Sequence, residues 1–365
     1  MAASATEIVR VQLAERSYDI RIGTGVLGEL GSLISAAGQV WHAVVITDDN
    51  VESPHATTVA TSLSAAGAAV DLLVIPAGEP SKSSDVAADL WQRMLDVETD
   101  RRSIVIAVGG GVVGDLAGFV AATFTRGLSF YQVPTTLLAQ VDSSVGGKVG
   151  INLAGAKNMV GAFWQPRGVL IDTAVLASLP DREYRSGLAE VVKYGVILDA
   201  DFFGYLEEHV AELNKRDNAV LRHVVSRSCR LKADVVEADE REETGHRAVL
   251  NYGHTFCHAL EAVTGYGELL HGEAVSIGML CASRLAEKLG RIKADDTARQ
   301  QELLAALGLP IEMPEVDAEE MLAAMQHDKK VAAGKLRFVL PSRIGAVELV
   351  GDVGDEHVRA AMSDS

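Results

Sequence analysis

Only three cysteines, Cys229, Cys257 and Cys281, occur in 365 residues, and no two form a CxxC pair. An odd number at such spacing excludes a disulfide framework and fits reduced thiols, which as small apolar side chains need no further role. Cations are scarce too: 33 lysines and arginines face 50 aspartates and glutamates, for a net charge of -17. That balance opposes nucleic acid or an anionic membrane as partner, since both would repel the chain. Long apolar runs are also missing. The opening MAASATEIVRVQLAERSYDI alternates polar and apolar residues without the apolar core of a signal peptide, and no later run could span a bilayer. The expectation is a cytoplasmic protein. With nine prolines, no low-complexity tract and no internal repeat, disorder is expected only at the ends.

What is present divides in two. A chain of 365 residues exceeds what one hydrophobic core usually serves. Up to about residue 180, short β-rich runs (IVRVQL, HAVVITDD, VDLLVIPAG, SIVIAVGGG, LSFYQVPTT, GVLIDTAVL) alternate with Ala/Leu-rich amphipathic stretches, which predicts an α/β domain with a largely parallel sheet. Beyond it come long helical stretches such as EYRSGLAEVVKYGVIL, AVLRHVVSRSCRLKADVVEADE and HGEAVSIGMLCASRLAEKLG, with one late strand-like segment, LRFVLP. The expected fold is a Rossmann-like, parallel-sheet, nucleotide-binding domain over 1–180 followed by a mainly α-helical metal-binding domain over 181–365. A ligand site is expected in the cleft between them.

Chemistry-bearing residues are concentrated in a few segments. Asn251 to Glu273, NYGHTFCHALEAVTGYGELLHGE, holds His254, His258 and His271 out of ten histidines in all. His254 and His258 stand four apart, so on a helix both rings leave one face, as two metal ligands or a ligand and a proton-transfer partner must. Helix histidines bonded to backbone carbonyls would give the same spacing. In LAEVVKYG, Glu190 and Lys193 share a helical face three residues apart; the apolar neighbours favour burial over an exposed ion pair. Glu190, His254 and His271 together make an N/O set suited to Zn²⁺ with a position open for substrate oxygens.

The run Gly109 to Gly114, GGGVVG, follows the apolar strand SIVIAV and precedes Asp115 and a helix, so bare amides face a sheet edge as in a phosphate cradle. It departs from the usual dinucleotide fingerprint by following a central strand and by placing Asp115 at once, and close strand-on-helix packing would also call for glycine. The loops Gly78-Glu79-Pro80-Ser81-Lys82 and Pro134-Thr135-Thr136 add hydroxyls and amides at strand ends. Asp142 to Asn158, DSSVGGKVGINLAGAKN, reads as a glycine-rich loop carrying Lys148 and Lys157, two cations that suit an anionic, phosphorylated substrate over solvated surface lysines. Asp142 and Asn158 suit hydroxyl recognition. Lys232, Arg247, Asn251 and the pair Lys329 and Lys330 are further candidates.

Taken in order, GGGVVGD, RG followed by QVPTTLLAQVDSSVGGK, AKN, GAFWQP, GLAEVVKYG, LKADVV, NYGHTFCHALE, HGEAVSIGM and HDKKV resemble the 3-dehydroquinate synthase family through nearly the whole chain. Cys257 stands where many members carry glycine. The resemblance implies a divalent metal, zinc or cobalt, on Glu190, His254 and His271. It implies NAD held by Asp48, Asn50, Glu79, Lys82, Gly111, Val112, Val113, Gly114, Asp115, Thr135 and Thr136, with Asp142, Lys148 and Lys157 nearby. It implies a homodimer acting on 3-deoxy-D-arabino-heptulosonate 7-phosphate: oxidation of a ring hydroxyl acidifies the neighbouring C–H, phosphate is eliminated, the hydride returns, and ring opening and an aldol step follow. His258 is then the candidate proton relay. Lys148, Asn158 and one of Lys329 or Lys330 would hold phosphate, with Arg126 from a partner subunit, while Lys232, Arg247 and Asn251 would hold the carboxylate end. Asp142, Lys157 and Lys193 would complete the polar shell. Two other readings remain: a cyclase acting on sedoheptulose 7-phosphate, which Arg247 and Asn251 oppose, and a metal-dependent polyol dehydrogenase, which the phosphate-binding lysines oppose.

Overall fold

Runs of β-branched residues set the first part of the chain into a seven-stranded sheet, seen here in a computed structural model that describes residues 6–154, 156–265, 267–327 and 336–363. The strands are β1 (Glu7–Val11), β2 (Tyr18–Gly23), β3 (His42–Asp48), β4 (Ala69–Ile75), β5 (Ile104–Gly109), β6 (Ser129–Pro134) and, after the hairpin β7 (Lys148–Leu153) and β8 (Ala156–Phe163), β9 (Gly168–Asp172). Their order is β1-β2-β9-β6-β5-β3-β4, parallel throughout except at β1 and β2. Every residue of β5 is buried, which is why its sequence is an unbroken apolar run rather than an alternating one. Helices α1 (Leu30–Ala37), α2 (Thr57–Ala65), α3 (Ser84–Asp96) and α4 (Gly111–Thr123) connect the strands. One core cluster joins Ile46, Ile75, Leu90, Val105, Leu116 and Phe130. Each such side chain contributes about 1.5–3 kcal/mol on leaving water.

The fold differs from the sequence reading in three places. The segment around Lys148 is a hairpin and not a loop. Its glycines misled: Gly150 pairs with Gly161 across the strands, and a Cβ on either would enter the other strand's backbone. Strand β2, YDIRIG, is absent from the β-rich runs named above although its burial alternates as a half-buried strand's does. The division at residue 180 also needs a correction, because Leu221–Arg241 belongs with Met1–Leu179 in one compact unit, while Pro180–Val220 and Glu242–Ser365 form the other.

The second unit is mainly helical. It contains α5 (Asp181–Leu198), α6 (Ala200–Glu208), α7 (Val210–Asn214) and the first turn of α8 (Asn218–Ala238), then α9 (His254–Val263), α10 (His271–Lys288), α11 (Ala294–Ala306) and α12 (Ala318–His327). The hairpin β10 (Arg337–Arg343) and β11 (Ala346–Gly351) and helix α13 (Asp355–Ser363) follow. Asp199 caps α6 by accepting from the Phe202 amide at 3.0 Å. The long helices α5 and α10 are buried along most of their length, which accounts for their Ala/Val/Gly-rich faces. Among the described residues, no helix is long and apolar enough to cross a membrane.

Candidate active site

Close helix packing brings the second unit's polar residues together. Gly272, second in α10, lies so tightly on α5 that a Cβ would strike the Ser186 carbonyl, and its amide donates to Ser186 Oγ at 3.0 Å. Glu190 stands one turn further along α5, so this contact delivers His271 to it. Gly253 performs the same service for His254: it adopts φ 77°, and a Cβ there would lie 2.7 Å from the Met279 amide of α10. Tyr252, just before it, is anchored through its hydroxyl to Gln300 Oε1 at 2.7 Å and the Met279 carbonyl at 2.9 Å.

The result is a convergent trio. His254 Nε2 and His271 Nε2 lie 3.7 and 3.8 Å from Glu190 Oε1, and the three candidate ligand atoms all fall within 4.8 Å of one another. Glu190 is 1% exposed; the Lys193 ammonium pairs with its Oε2, yet neither carboxylate oxygen accepts a hydrogen bond of good geometry. Lys193 meets Oε2, while Oε1, faced by two imidazole nitrogens beyond hydrogen-bonding distance, is placed to take a second cation. A tetrahedral divalent metal fits this donor set, one carboxylate oxygen and two imidazole nitrogens. His254 turns Nδ1 to the Tyr252 carbonyl at 3.1 Å, which directs Nε2 at Glu190. His258 sits edge-on to His254, ring centroids 5.5 Å apart, outside the trio. Arg247 is buried with Nε 3.5 Å from Glu242 Oε1, and Asn251 closes the same short 3₁₀ segment.

The first unit gathers a different group. The carboxyl ends of β3, β5 and β6 present Asp48, Gly110 to Asp115, and Thr135 with Thr136, and the Glu79 to Lys82 turn follows β4. The strand order reverses between β3 and β5, the place where open parallel sheets take their ligands. Helix α4 starts there with no side-chain cap. Thr135 Oγ1 is buried without a hydrogen-bond partner, as a waiting donor for a ligand would be, so NAD fits these residues. Asp48 uses Oδ1 to accept the Asn50 and Val51 amides, and burial pushes its carboxyl up. Lys82, itself buried, places its ammonium on Asp115 Oδ2 and Asn158 Oδ1. Burial also pushes the Asp115 carboxyl up, with Lys82 opposing the shift.

Lys148 opens β7, exposed and paired with Phe163, whereas Lys157 and Asn158 lie at the other end of the hairpin, in the early part of β8. Lys232, on the returning part of α8, donates to the Asp142 carbonyl at 2.6 Å and its Oδ1 at 2.8 Å. Arg126 is exposed in a turn where it and Thr125 both hold positive φ, 72° and 47°. Lys329 and Lys330 lie outside the described residues. Two polar residues escaped the sequence reading. Asn152 gives its amide N–H to Glu79 Oε1 at 2.7 Å and accepts the Asn158 amide at 2.8 Å, tying the hairpin to the turn that bears Lys82. Glu261 faces His271 Nδ1 from 3.5 Å. Only the second left a trace in the pattern, lying seven residues after His254 on one helical face.

An uncapped helix at a sheet switch point and a carboxylate–imidazole trio define a class of nucleotide- and metal-dependent enzymes, and comparison with known proteins narrows it. The N-terminal part of the 3-dehydroquinate synthase family matches residues 72–186, and its C-terminal part matches 187–331. A 3-dehydroquinate synthase of Rhodopirellula baltica is 53% identical over 98% of this chain and 96% of its own. Among solved structures, a 2-deoxy-scyllo-inosose synthase complexed with carbaglucose-6-phosphate, NAD+ and Co2+ superposes with TM-score 0.89 at 27% identity, covering 98% of this chain and 99% of its own. A 2-epi-5-epi-valiolone synthase from Streptomyces hygroscopicus subsp. jinggangensis, with NAD+ and Zn2+ bound, gives 0.87 at 28% identity, covering 99% and 98%. The chain belongs to the 3-dehydroquinate synthase family.

Proposed function

We propose that this chain acts as a 3-dehydroquinate synthase, an NAD- and metal-dependent enzyme that takes 3-deoxy-D-arabino-heptulosonate 7-phosphate to 3-dehydroquinate and phosphate. The observation that carries the reading is the buried Glu190 with its two imidazole neighbours, in a chain 53% identical to a relative of that name. When bound, the metal supplies Lewis acidity at a substrate oxygen, and NAD takes and returns a hydride.

The side chains do the rest. Glu190, His254 and His271 would hold the metal. His258 would move a proton at the substrate hydroxyl, since imidazole exchanges protons near neutral pH. Lys148, Lys157 and Asn158, with Arg126 and one of Lys329 or Lys330, would hold the phosphate by charge-assisted bonds. Lys232, Arg247 and Asn251 would bind the carboxylate end and nearby hydroxyls, while Asp142 and Lys193 orient them. Asp48, Asn50, Glu79, Lys82, Gly111 to Asp115, Thr135 and Thr136 would hold NAD. A homodimer, with Arg126 reaching a second copy, and a cytoplasmic setting complete the proposal.

The test is a stoichiometric assay with catalytic NAD, zinc or cobalt, and the acid substrate, following phosphate and NADH. Phosphate released in large excess over NAD, with no net NADH, is the expected result. Turnover of sedoheptulose 7-phosphate alone would replace this reading with another cyclase, and steady NADH accumulation with a polyol would replace it with a dehydrogenase.

A further inference from the structure

Glu261 is a buried acid to which the chemistry above gives no task. It is 8% exposed on α9, one turn beyond Cys257 and on the same helical face as His254. A carboxylate is kept in such a place only if something nearby uses its charge or its lone pairs. Oε1 lies 3.5 Å from His271 Nδ1, a separation that a small ring rotation closes into a hydrogen bond. The other group at that nitrogen is Cys257 Sγ, at 3.9 Å from Nδ1 and 3.9 Å from the His271 carbonyl. A thiol is a weak acceptor, and here it can donate to the carbonyl instead, so the carboxylate is the stronger claimant for an Nδ1 proton. The arrangement mirrors that of His254. Each imidazole has an oxygen at Nδ1, the Tyr252 carbonyl for one and Glu261 for the other, and each points Nε2 at Glu190 Oε1.

We propose that Glu261 is a positioning residue for His271: it accepts the Nδ1 proton, which fixes the tautomer with a free Nε2 lone pair and sets the plane of the ring toward the metal. The inference rests on the metal-site reading above. Outer partners of this kind typically contribute about 10–100-fold to metal affinity. Cys257 and Glu261 also fall within 4.8 Å of His271 as possible ligand atoms, but both imidazole Nε2 atoms face Glu190 Oε1, which leaves Cys257 to packing beside the ring and Glu261 to the Nδ1 side.

The experiment measures Zn²⁺ and Co²⁺ affinity by chelator competition, without substrate, on the unaltered full chain and on Glu261→Ala, Glu261→Gln and Cys257→Ala, with the Co²⁺ visible spectrum and circular dichroism alongside. Glu261→Ala is expected to weaken binding roughly 10–100-fold and to change the Co²⁺ d–d bands. Glu261→Gln keeps the shape and a weaker acceptor, and should lose less, about 3–10-fold; it decides the matter if the alanine variant does not fold. Cys257→Ala should bind as the unaltered chain does. Unchanged affinity and spectrum in both Glu261 variants would overturn the inference alone. So would loss of affinity in Cys257→Ala, or an intense thiolate charge-transfer band that this substitution removes. Failure of the unaltered chain to bind one metal ion would overturn the site reading together with the inference.

Discussion

The two polar clusters handle buried charge in opposite ways. In the first unit, Lys82, Asp115, Asn158, Asn152 and Glu79 satisfy one another, and Lys232 satisfies Asp142, so the group is held in shape by its own hydrogen bonds. In the second, Glu190 has an ion pair with Lys193 but no well-formed hydrogen bond, and two imidazoles face one oxygen at distances too long to bond it. A self-satisfied cluster is a preorganised cradle that a ligand enters with little rearrangement. An under-satisfied one gains most of its stability from what binds there.

The contrast can be broken experimentally. The largest effect should come from His271→Ala: loss of the bound metal and a fall in turnover of about a thousandfold or more, with circular dichroism unchanged, because several kcal/mol of Lewis-acid stabilisation disappears. Retained turnover with metal-free protein would remove the trio from the chemistry. Chelation should destabilise the loaded protein by about 2.7 kcal/mol if the metal stood at a hundred times its Kd, seen as a lower Tm, while NAD titration at moderate temperature is unaffected. In the first unit, Lys148→Ala should raise KM for the phosphorylated substrate about 10–100-fold, the value of one charge-assisted bond, with NAD affinity nearly constant. Equal weakening of both would move Lys148 to the cofactor. Asn152→Ala should cost about 0.5–1.5 kcal/mol in urea unfolding, the net value of a hydrogen bond whose partners water can reach; no change would show that the cradle does not depend on that bridge. The smallest effect concerns thiols. Burial pushes Cys229 and Cys281 up to about 12, so the native protein should react with a thiol reagent far more slowly than the urea-unfolded one.

Much of this was legible in the sequence where one residue type at one spacing has one cause. The apolar runs of β3, β5 and β6 announce a buried parallel sheet, and the histidines of α9 and α10 announce convergence because few other roles place them so. Strands β7 and β8 were hidden by Gly150 and Gly161, whose cross-strand contact only the folded hairpin reveals. Asn152 was illegible, and Glu261 left only its helical spacing from His254, for a related reason: an asparagine and a glutamate are common everywhere, and their meaning comes from Glu79, Asn158 and His271, which tertiary packing supplies. The return of Leu221–Arg241 to the first unit leaves no mark in helix periodicity, since α8 reads as one uninterrupted amphipathic stretch.

That return sets an order of events during synthesis. The first unit is not finished when residue 179 leaves the ribosome; Asp142 and the Gln140 carbonyl must wait for Lys232 and Cys229, which emerge after the second unit's opening helices have already been made. A nascent chain halted before residue 221 would therefore carry Asp142 and the Gln140 carbonyl without the lysine and the thiol that meet them in the finished fold. A gene split at residue 180 would yield a first fragment lacking the lysine its own aspartate is built to meet.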